Sequence, residues 1–446
     1  MSDYMFMLES HLSPGQSRAL GAIDQAARQT GPPLFLVGGA MRDMLGGFPI
    51  TDLDFAFQGN ALALARRVAE ETGARILAQD EVRKSAELVF PDGVTAEIGM
   101  ARTERYSKPG VRPQVEPAPI HQDLLRRDFT VNSIALSLHP ASRGLLLDPA
   151  NGLGDLNQKE LRANSSTTLF DDPARLLRLI RFRIRLGFSV EARTQQQYEA
   201  ARQAGIEALI PPRSLLAELR QIAREPALAE VVAGLDKERL LRLVSPSLSG
   251  PRLNVVALAK LQKARQLIPF GVSLTVDALA LFLALISEKL PPKERSAFAR
   301  RLEMGKQETE AWKKLGAAVR PLEKKLRAAK LQRPSLVYET LSGVPGEQIL
   351  LVYVATKDRL VHDRIRNYLT KYLPAAQEIT DKEVIAAGYE PGAARFEKIR
   401  QEMIAARLDG RTWRPAAAAS KSRPAKRRGA SPVRRGLPAL SARPVA

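Results

Sequence analysis

A short apolar run that stops at a pair of glycines constrains the fold of this 446-residue chain more than any other feature. The run, Leu34–Val37, predicts a buried strand, and Gly38-Gly39 directly after it predicts a turn that another group can approach closely. Residues 54–57 predict a second strand, and residues 61–72 predict an amphipathic helix that ends at Gly73. Together these elements predict a small α/β unit that begins near residue 30.

The pattern changes from mixed to helical along the chain. Residues 86–90 and 94–100 flank Pro91-Asp92-Gly93 and predict a β-hairpin, whereas strand signals almost vanish after residue 171. We expect an α+β fold with a small mixed or antiparallel sheet in a head, an all-α remainder and no internal repeat. The predicted segments are a helical lead-in (1–30), the head (31–145), a helical neck (146–225), a helical body and tail (226–410) and a disordered basic C-terminus (411–446).

The charge of the chain indicates a polyanionic partner. Lys and Arg number 68 against 48 Asp and Glu, which gives a net charge of +20. Chains this basic usually bind nucleic acid or an anionic surface. Residues 414–446 hold nine basic residues and no acidic residue among Pro, Ala, Ser and Gly, so we expect that segment to be disordered.

Composition also excludes several classes of protein. Cysteine is absent, which rules out disulfides, zinc fingers and a cysteine nucleophile. The four histidines are scattered, so a His-rich metal site is not expected. The longest apolar run, residues 278–286, is far shorter than the roughly 20 residues of a membrane span. The first ten residues resemble no signal peptide, so we expect a cytoplasmic protein without a membrane contact.

The sharpest chemical motif is the glycine pair followed by Asp52-Leu53-Asp54. Two carboxylates at i and i+2 of a strand project from one face and can hold divalent cations side by side. The glycine pair lets the backbone approach a triphosphate closely. Such a carboxylate pair alone is common on solvated strand edges, but the glycine pair upstream favours a functional site.

Two further segments carry charge or turn signals. Arg126-Arg127-Asp128 resembles the capped start of a helix with a basic first turn. Because the helix dipole disfavours cations there, the arginine pair indicates a phosphate or an acidic cluster that it neutralises. Residues 148–156 predict an architectural turn that joins a strand to a helix.

An arginine-rich helix follows. Asp172 and Pro173 predict its N-cap and first residue. Arg175, Arg178 and Arg181 recur every three residues on one face, so we expect an anion between them; the alternative is a solvated basic face. Asp172 and Arg175 also offer an acceptor and a planar donor fork that can read the edge of a base.

These blocks, in this order, resemble the class II tRNA nucleotidyltransferase and bacterial poly(A) polymerase family, among the DNA polymerase β-like nucleotidyltransferases, over residues 30–225. The resemblance implies that the head is catalytic, that the neck binds nucleotide and primer, and that the body and tail bind RNA. It implies catalytic, metal-binding roles for Asp52 and Asp54, a further carboxylate at Glu97, and nucleotide contacts from Gly38, Gly39, Arg42, Arg127, Asp172, Arg175, Arg178 and Arg181.

Other segments fit the family less evenly. Residues 101–106 match the start of its flexible loop, but Lys108-Pro109 stand where an acidic residue is common. In the later neck motif, residues 212–219, only Glu218-Leu219 is clear. Residues 379–410 resemble the tail segment of bacterial CCA-adding enzymes.

The implied function is template-independent addition of C, A or both to the 3′ end of tRNA from CTP and ATP, with Mg²⁺ as cofactor and pyrophosphate as product. We expect complete CCA addition rather than an enzyme restricted to the C steps or the A step. The alternatives are a poly(A) polymerase with the same head and neck, and a non-catalytic RNA-binding protein. No protein partner is predicted.

Overall fold

The computed structural model describes residues 3–393 and 395–414. Its strands are β1 (Leu34–Val37), β2 (Leu53–Phe57), β3 (Arg75–Asp80), β4 (Ser85–Val89), β5 (Thr95–Met100), β6 (Arg102–Arg105), β7 (Gln114–Pro117), β8 (Ala135–Ser137), β9 (Leu146–Leu147), β10 (Glu160–Leu161) and β11 (Ser189–Val190).

The helices of the first half are α1 (Asp3–His11), α2 (Pro14–Arg28), α3 (Gly39–Leu45), α4 (Ala61–Thr72), α5 (Ile120–Leu125), α6 (Gly152–Gln158), α7 (Thr168–Asp171), α8 (Arg175–Leu186), α9 (Ala192–Gln203) and α10 (Pro212–Arg224). Those of the second half are α11 (Leu228–Lys237), α12 (Val255–Arg265), α13 (Ala278–Ser287), α14 (Pro292–Arg301), α15 (Lys306–Leu326), α16 (Pro334–Ser342), α17 (Gly346–Ala355), α18 (Arg359–Asn367), α19 (Leu373–Gln377), α20 (Asp381–Ala386) and α21 (Phe396–Leu408).

One mixed sheet forms the head, in the strand order β3-β4-β5-β2-β1-β8-β9. Strands β2 and β5 are parallel and the other neighbours are antiparallel. Strands β6 and β7 form a separate hairpin, and β10 pairs with β11. The predicted α+β fold, with its helical remainder, is therefore confirmed.

Both faces of the sheet are buried, which explains why β1 lacks polar residues. Leu34 and Leu36 pack into the main core with α2 and α4, whereas Phe35 and Val37 pack against α5 on the opposite face. Asp54 lies on the second face because side chains alternate along β2. The sheet thus places that carboxylate at the edge of a packed apolar layer.

The arginine pair does not begin a helix, contrary to the sequence prediction. Helix α5 ends at Leu125 and Arg126 is its C-cap residue. Since the helix dipole favours cations at a C-terminus, the dipole argument for a bound anion falls away. The pair is neutralised by protein carboxylates instead.

The arginine-rich helix also begins later than predicted, at Arg175 with Ala174 as the N-cap residue. The backbone N–H groups of Arg175, Leu176 and Leu177 bond to carbonyls three residues earlier. This tight turn starts the helix, and Asp172 caps the turn by accepting from the N–H of Ala174 at 3.2 Å. The predicted helix is correct, but its start is displaced by the turn at Pro173.

Helices make up the rest of the described chain. The apolar residues 278–286 lie in α13, in which residues 279–287 are all buried. Within the described residues no helix is both long and apolar enough to cross a bilayer. The predicted disorder of residues 411–446 falls, from residue 415 onward, outside the described residues.

Gly152, the first residue of α6, sets a close contact between the head and the neck. A Cβ atom there would lie 2.2 Å from the carbonyl oxygen of Thr130. We expect Gly152→Ala to lower the free energy of unfolding by about 2 kcal/mol or more, because a rigid backbone atom must move. Gly21→Ala, in the middle of α2 with open space around it, should raise that free energy by up to about 1 kcal/mol. Urea denaturation of both variants checks the prediction, and equal stabilities would contradict it.

Candidate active site

A cleft of about 590 Å³ lies between the head sheet and helices α8 and α10. Eleven arginines and ten carboxylates line it. The arginines are Arg42, Arg83, Arg102, Arg126, Arg127, Arg175, Arg178, Arg181, Arg185, Arg220 and Arg224. Each of them lies within 4.0 Å of a carboxylate, so the cleft is not a simple cationic trough.

Three cleft carboxylates lack a cationic partner within 4.0 Å among the described residues: Asp52, Asp54 and Glu97. Asp54 stands opposite Glu97 in the register of the parallel pair β2 and β5. Asp52 lies one residue before β2 and accepts a hydrogen bond from the hydroxyl of Thr95 at 2.8 Å. The structure thus brings the two predicted metal-binding aspartates and the predicted further carboxylate to one end of the cleft.

The uncompensated charge is felt most strongly at Asp54. Burial, with Glu97 and Asp52 as neighbouring negative charges, raises the pKa of Asp54 from 3.8 to about 7. Arg127 and the backbone N–H of Gly39 oppose this shift without cancelling it. The carboxylate cluster would therefore gain from a bound cation.

The chemistry of these oxygen donors fits a hard divalent cation. No group of three or more His, Cys, Asp or Glu side chains in the described residues is placed to hold a metal ion by itself. Mg²⁺ in phosphate-binding enzymes is typically held by only one or two carboxylates, with water and substrate phosphates completing its coordination. Asp52 and Asp54 meet that requirement, and Glu97 is available beside them.

The glycine pair is required by the close approach of two charged side chains. Gly38 has a φ of +66°, and a Cβ atom there would lie 3.0 Å from Arg127 Nη1 and 3.3 Å from Asp54 Oδ2. A Cβ atom at Gly39 would lie 3.5 Å from the same Asp54 oxygen. Any larger residue at position 38 would be strained and would fill the space beside the carboxylate.

Arg126 and Arg127 both bind Asp123, at 2.7 and 2.8 Å. Arg126 also lies 3.1 Å from Glu104 of β6. Burial raises the pKa values of both carboxyls, but the arginine charges outweigh burial and lower each pKa to about 2. The acidic cluster that the sequence analysis considered is therefore present, and it is internal.

The arginines of α8 are neutralised in the same way. Arg178 donates to Asp128 at 2.8 Å and to Glu218, and Arg181 donates to Glu225 at 2.8 Å. The anion expected between the arginines is thus supplied by the protein itself. Arg178 remains 28% exposed to the cleft, whereas only 6% of the Arg181 side chain is accessible.

Asp172 and Arg175 lie at the start of α8, with Asp172 Oδ2 3.9 Å from Arg175 Nε. The two Nη atoms of Arg175 donate to the backbone carbonyls of Thr168 and Arg126 at 3.2 and 3.1 Å. Its buried Nε has no hydrogen-bond acceptor among the described residues. The predicted base-reading pair is therefore brought together, but both Nη atoms of Arg175 are occupied by backbone carbonyls, one in the neck and one in the head.

Sequence reasoning assigned no role to several carboxylates that organise the cleft: Asp43, Glu104, Asp123, Asp128 and Glu218. Asp43 and Asp128 directly follow arginines in the motifs already recognised. Glu218 stood in the one clear part of the later neck motif. The spacing of the arginines indicates that anions must lie near them. It does not show that those anions come from distant segments of the same chain.

A mixed-sheet head that presents paired aspartates beside a glycine turn, joined to a helical neck rich in arginine, defines a nucleotidyltransferase fold. Residues 34–162 match the family model of the poly A polymerase head domain. This match confirms, for the head, the resemblance to the class II tRNA nucleotidyltransferase and poly(A) polymerase family that the motifs of the chain carry.

Individual relatives agree with this placement. An A-adding tRNA nucleotidyltransferase of Geobacter sulfurreducens is 26% identical over 415 residues, which are 92% of this chain and 47% of that protein. A CC-adding tRNA nucleotidyltransferase of Deinococcus radiodurans is 37% identical over 166 residues, 37% of this chain and 44% of that protein. The chain spans about half the length of the curated relatives it matches. The solved apo structure of a tRNA-processing enzyme is 25% identical, with a TM-score of 0.50, over 88% of this chain and 99% of that one.

The raised pKa of Asp54 predicts a pH-dependent stability. The folded protein binds this proton more tightly than the unfolded chain, so the cost of ionising Asp54 develops as the pH rises from about 4 to 7. Without divalent cations, Asp54→Asn should exceed the wild type in free energy of unfolding by about 1–4 kcal/mol at pH 8, a difference that shrinks toward zero at pH 4. Asp363→Asn, at a half-exposed site on α18, is the matched control. Denaturant titrations across this pH range check the sign, and an Asp54→Asn advantage that grows on acidification would contradict it.

Proposed function

We propose that this protein is a template-independent nucleotidyltransferase that adds C and/or A to the 3′ end of tRNA from CTP and ATP and releases pyrophosphate. The observation that carries the proposal is the cluster of three unpaired carboxylates beside the glycine turn, in the same cleft as Asp172 and Arg175. The names of the relatives support tRNA as the substrate. We expect the protein to act in the cytoplasm.

The residues of the cleft divide the work of in-line phosphoryl transfer. Gly38 and Gly39 leave room for the triphosphate, and Arg42 and Arg127 present donors beside it. Asp52 and Asp54, with Glu97 nearby, would hold Mg²⁺, which when bound activates the RNA 3′-hydroxyl and neutralises charge on the attacking and leaving oxygens. Arg178 contacts phosphate through its exposed edge, and Arg181 supports it from behind through Glu218.

In the proposed reaction the protein itself must select the base, because the reaction uses no template strand. Asp172 accepts from the exocyclic amino group of C or A, and Arg175 donates to a ring acceptor. The backbone carbonyls that hold the Nη atoms of Arg175 keep this donor fixed in direction. A rigid reader suits a site that must reject U and G without a complementary base.

A restricted, A-adding enzyme is the second candidate. The A-adding relative matches 92% of this chain, whereas the CC-adding relative matches only 37% of it. Lys108 and Pro109 also replace an acidic residue in the loop between β6 and β7, and Pro109 stiffens that loop. Both observations favour a narrower specificity than complete CCA addition.

A purified assay on tRNA that ends at the discriminator base, at C or at CC tests the function and separates the candidates. With CTP and ATP together, complete CCA on the shortest tRNA supports the broad activity. Addition of a single A only to the CC-ended tRNA assigns the A-adding step. A ladder of many A residues on any RNA would instead indicate a poly(A) polymerase.

Asp54→Ala is the inactive control for that assay. It should reduce incorporation by at least about 10³-fold, since the cation site loses a ligand, while tRNA affinity stays within about twofold of wild type. Substantial turnover by this variant would remove the proposed role of the carboxylate cluster.

Arg175→Ala should lose base discrimination as well as rate. The preference for CTP and ATP over UTP should fall about tenfold, which corresponds to one lost base contact. Arg183→Ala is the matched control, because Arg183 lies on the same helix but pairs with Glu238 outside the cleft. An unchanged nucleotide preference in Arg175→Ala would overturn the base-reading role.

A further inference from the structure

We propose that Asp43 and Arg185 are positioning residues that hold the guanidinium of Arg42 in place for the triphosphate by locking the last turn of α8 to the head. This inference rests on the proposed function of the cleft. Neither residue is among those that the sequence motifs marked as nucleotide contacts.

Hydrogen bonds fix the orientation of the Arg42 guanidinium. Its Nε and Nη2 lie 2.8 and 2.7 Å from Asp43 Oδ1, and its Nη1 donates to Asn132 Oδ1 at 2.8 Å. Arg42 and Asp43 are only 3% and 1% exposed. A guanidinium carries five N–H donors, so these contacts fix its plane and leave donors for a ligand.

The second oxygen of Asp43 is bound by an arginine of the neck. Arg185, 142 residues later in the chain, donates from Nη2 to Asp43 Oδ2 at 2.8 Å. Each oxygen of Asp43 therefore has its own arginine. Because a buried carboxylate needs this pairing, loss of Arg185 would free Asp43 to turn toward Arg42 and draw that guanidinium away from its present plane.

Residues of the neck hold both Arg185 and Arg42 in place. Arg185 Nη1 lies 3.8 Å from Glu225, which also accepts from Arg181. The guanidinium carbons of Arg42 and Arg181 lie 4.8 and 4.5 Å from the ring centre of Phe182. These contacts together tie α8 both to the head, through Asp43 and Arg42, and to the end of α10, through Glu225.

Helix α8 connects the residues that we propose to act on the two ends of the nucleotide. Helix α8 begins at Arg175, beside the proposed base reader, and Arg185 lies ten residues or about 15 Å farther along its axis. The Asp43–Arg185 pair thus ties the triphosphate anchor to the same helix that carries the base reader. Its loss should weaken phosphate recognition more than recognition of the base or the RNA.

Equilibrium binding of ATP and AMP to the full chain separates these effects. Arg185→Gln removes the charge, Arg185→Lys retains a charge that can reach Asp43, and Arg183→Gln is the control on the same helix. We expect Arg185→Gln to weaken ATP binding about tenfold or more and AMP binding less than twofold, because only ATP reaches Arg42 with its outer phosphates. Arg185→Lys should recover most of the ATP affinity.

A double-mutant cycle tests whether Asp43 and Arg185 act as a unit. Asp43→Asn with Arg185→Gln should bind ATP no more weakly than Arg185→Gln alone, and KM for tRNA should stay near wild type in all variants. If Asp43→Asn fails to fold, the Arg185 variants still decide the question, with thermal melting as the check that they are folded.

The outcomes separate this inference from the proposed function. An unchanged ratio of ATP to AMP affinity in folded Arg185→Gln, or an equal loss in Arg183→Gln, overturns the positioning role. If the wild type adds no nucleotide to any RNA but Arg185→Gln still loses ATP selectively, the proposed function fails and the positioning role stands.

Discussion

The head and the neck are held together by a ring of largely buried, alternating charges that one amide side chain closes. Its members, in order of contact, are Arg42, Asp43, Arg185, Glu225, Arg181, Glu218, Arg178, Asp128 and Asn132, which returns to Arg42. Burial would raise the pKa of Asp128, but the charges of Arg178 and Arg175 outweigh it and lower that pKa well below its ordinary value. Because each carboxylate of the ring serves two partners, removing one member takes away part of the compensation of its neighbours, which is costly where they are buried.

The ring explains why the cleft is electrostatically polarised in spite of its many arginines. The charges of α8 are cancelled locally, so the unbalanced charge sits at Asp52, Asp54 and Glu97 on the far side of the glycine turn. On the proposed function, an incoming triphosphate would meet oriented donors at one end and carboxylates in need of a cation at the other. Unfavourable local arrangements, such as these neighbouring unpaired carboxylates, are typical of functional sites, where the surrounding structure maintains them.

Local elements of the fold could be predicted from the sequence because local rules decide them. Strand Leu34–Val37 and helix Ala61–Thr72 with Gly73 follow from apolar period and capping, and the predicted bounds agree with the structure. The predicted start of α8 is wrong by two residues, and the sequence takes the end of α5 for the start of a helix, because a proline turn and a helix C-cap carry the same residue types as a helix start. The partners of the arginines could not be predicted, since Arg185 and Asp43 are 142 residues apart and only the folded chain brings them together.

The carboxylates that pair with the arginines of α8 also explain why these arginines share one face of the helix. Three arginines at i, i+3 and i+6 indicate that anions must be near, and Asp128, Glu218 and Glu225 satisfy that requirement before any substrate arrives. A phosphate that binds here does not fill an empty cationic pocket; it adds to guanidinium groups whose planes carboxylates already fix. Such groups lose little freedom on binding, so more of the interaction energy remains for discrimination between nucleotides. For the proposed activity, in which the protein must choose a base without a template, preorganised arginines are worth more than free ones.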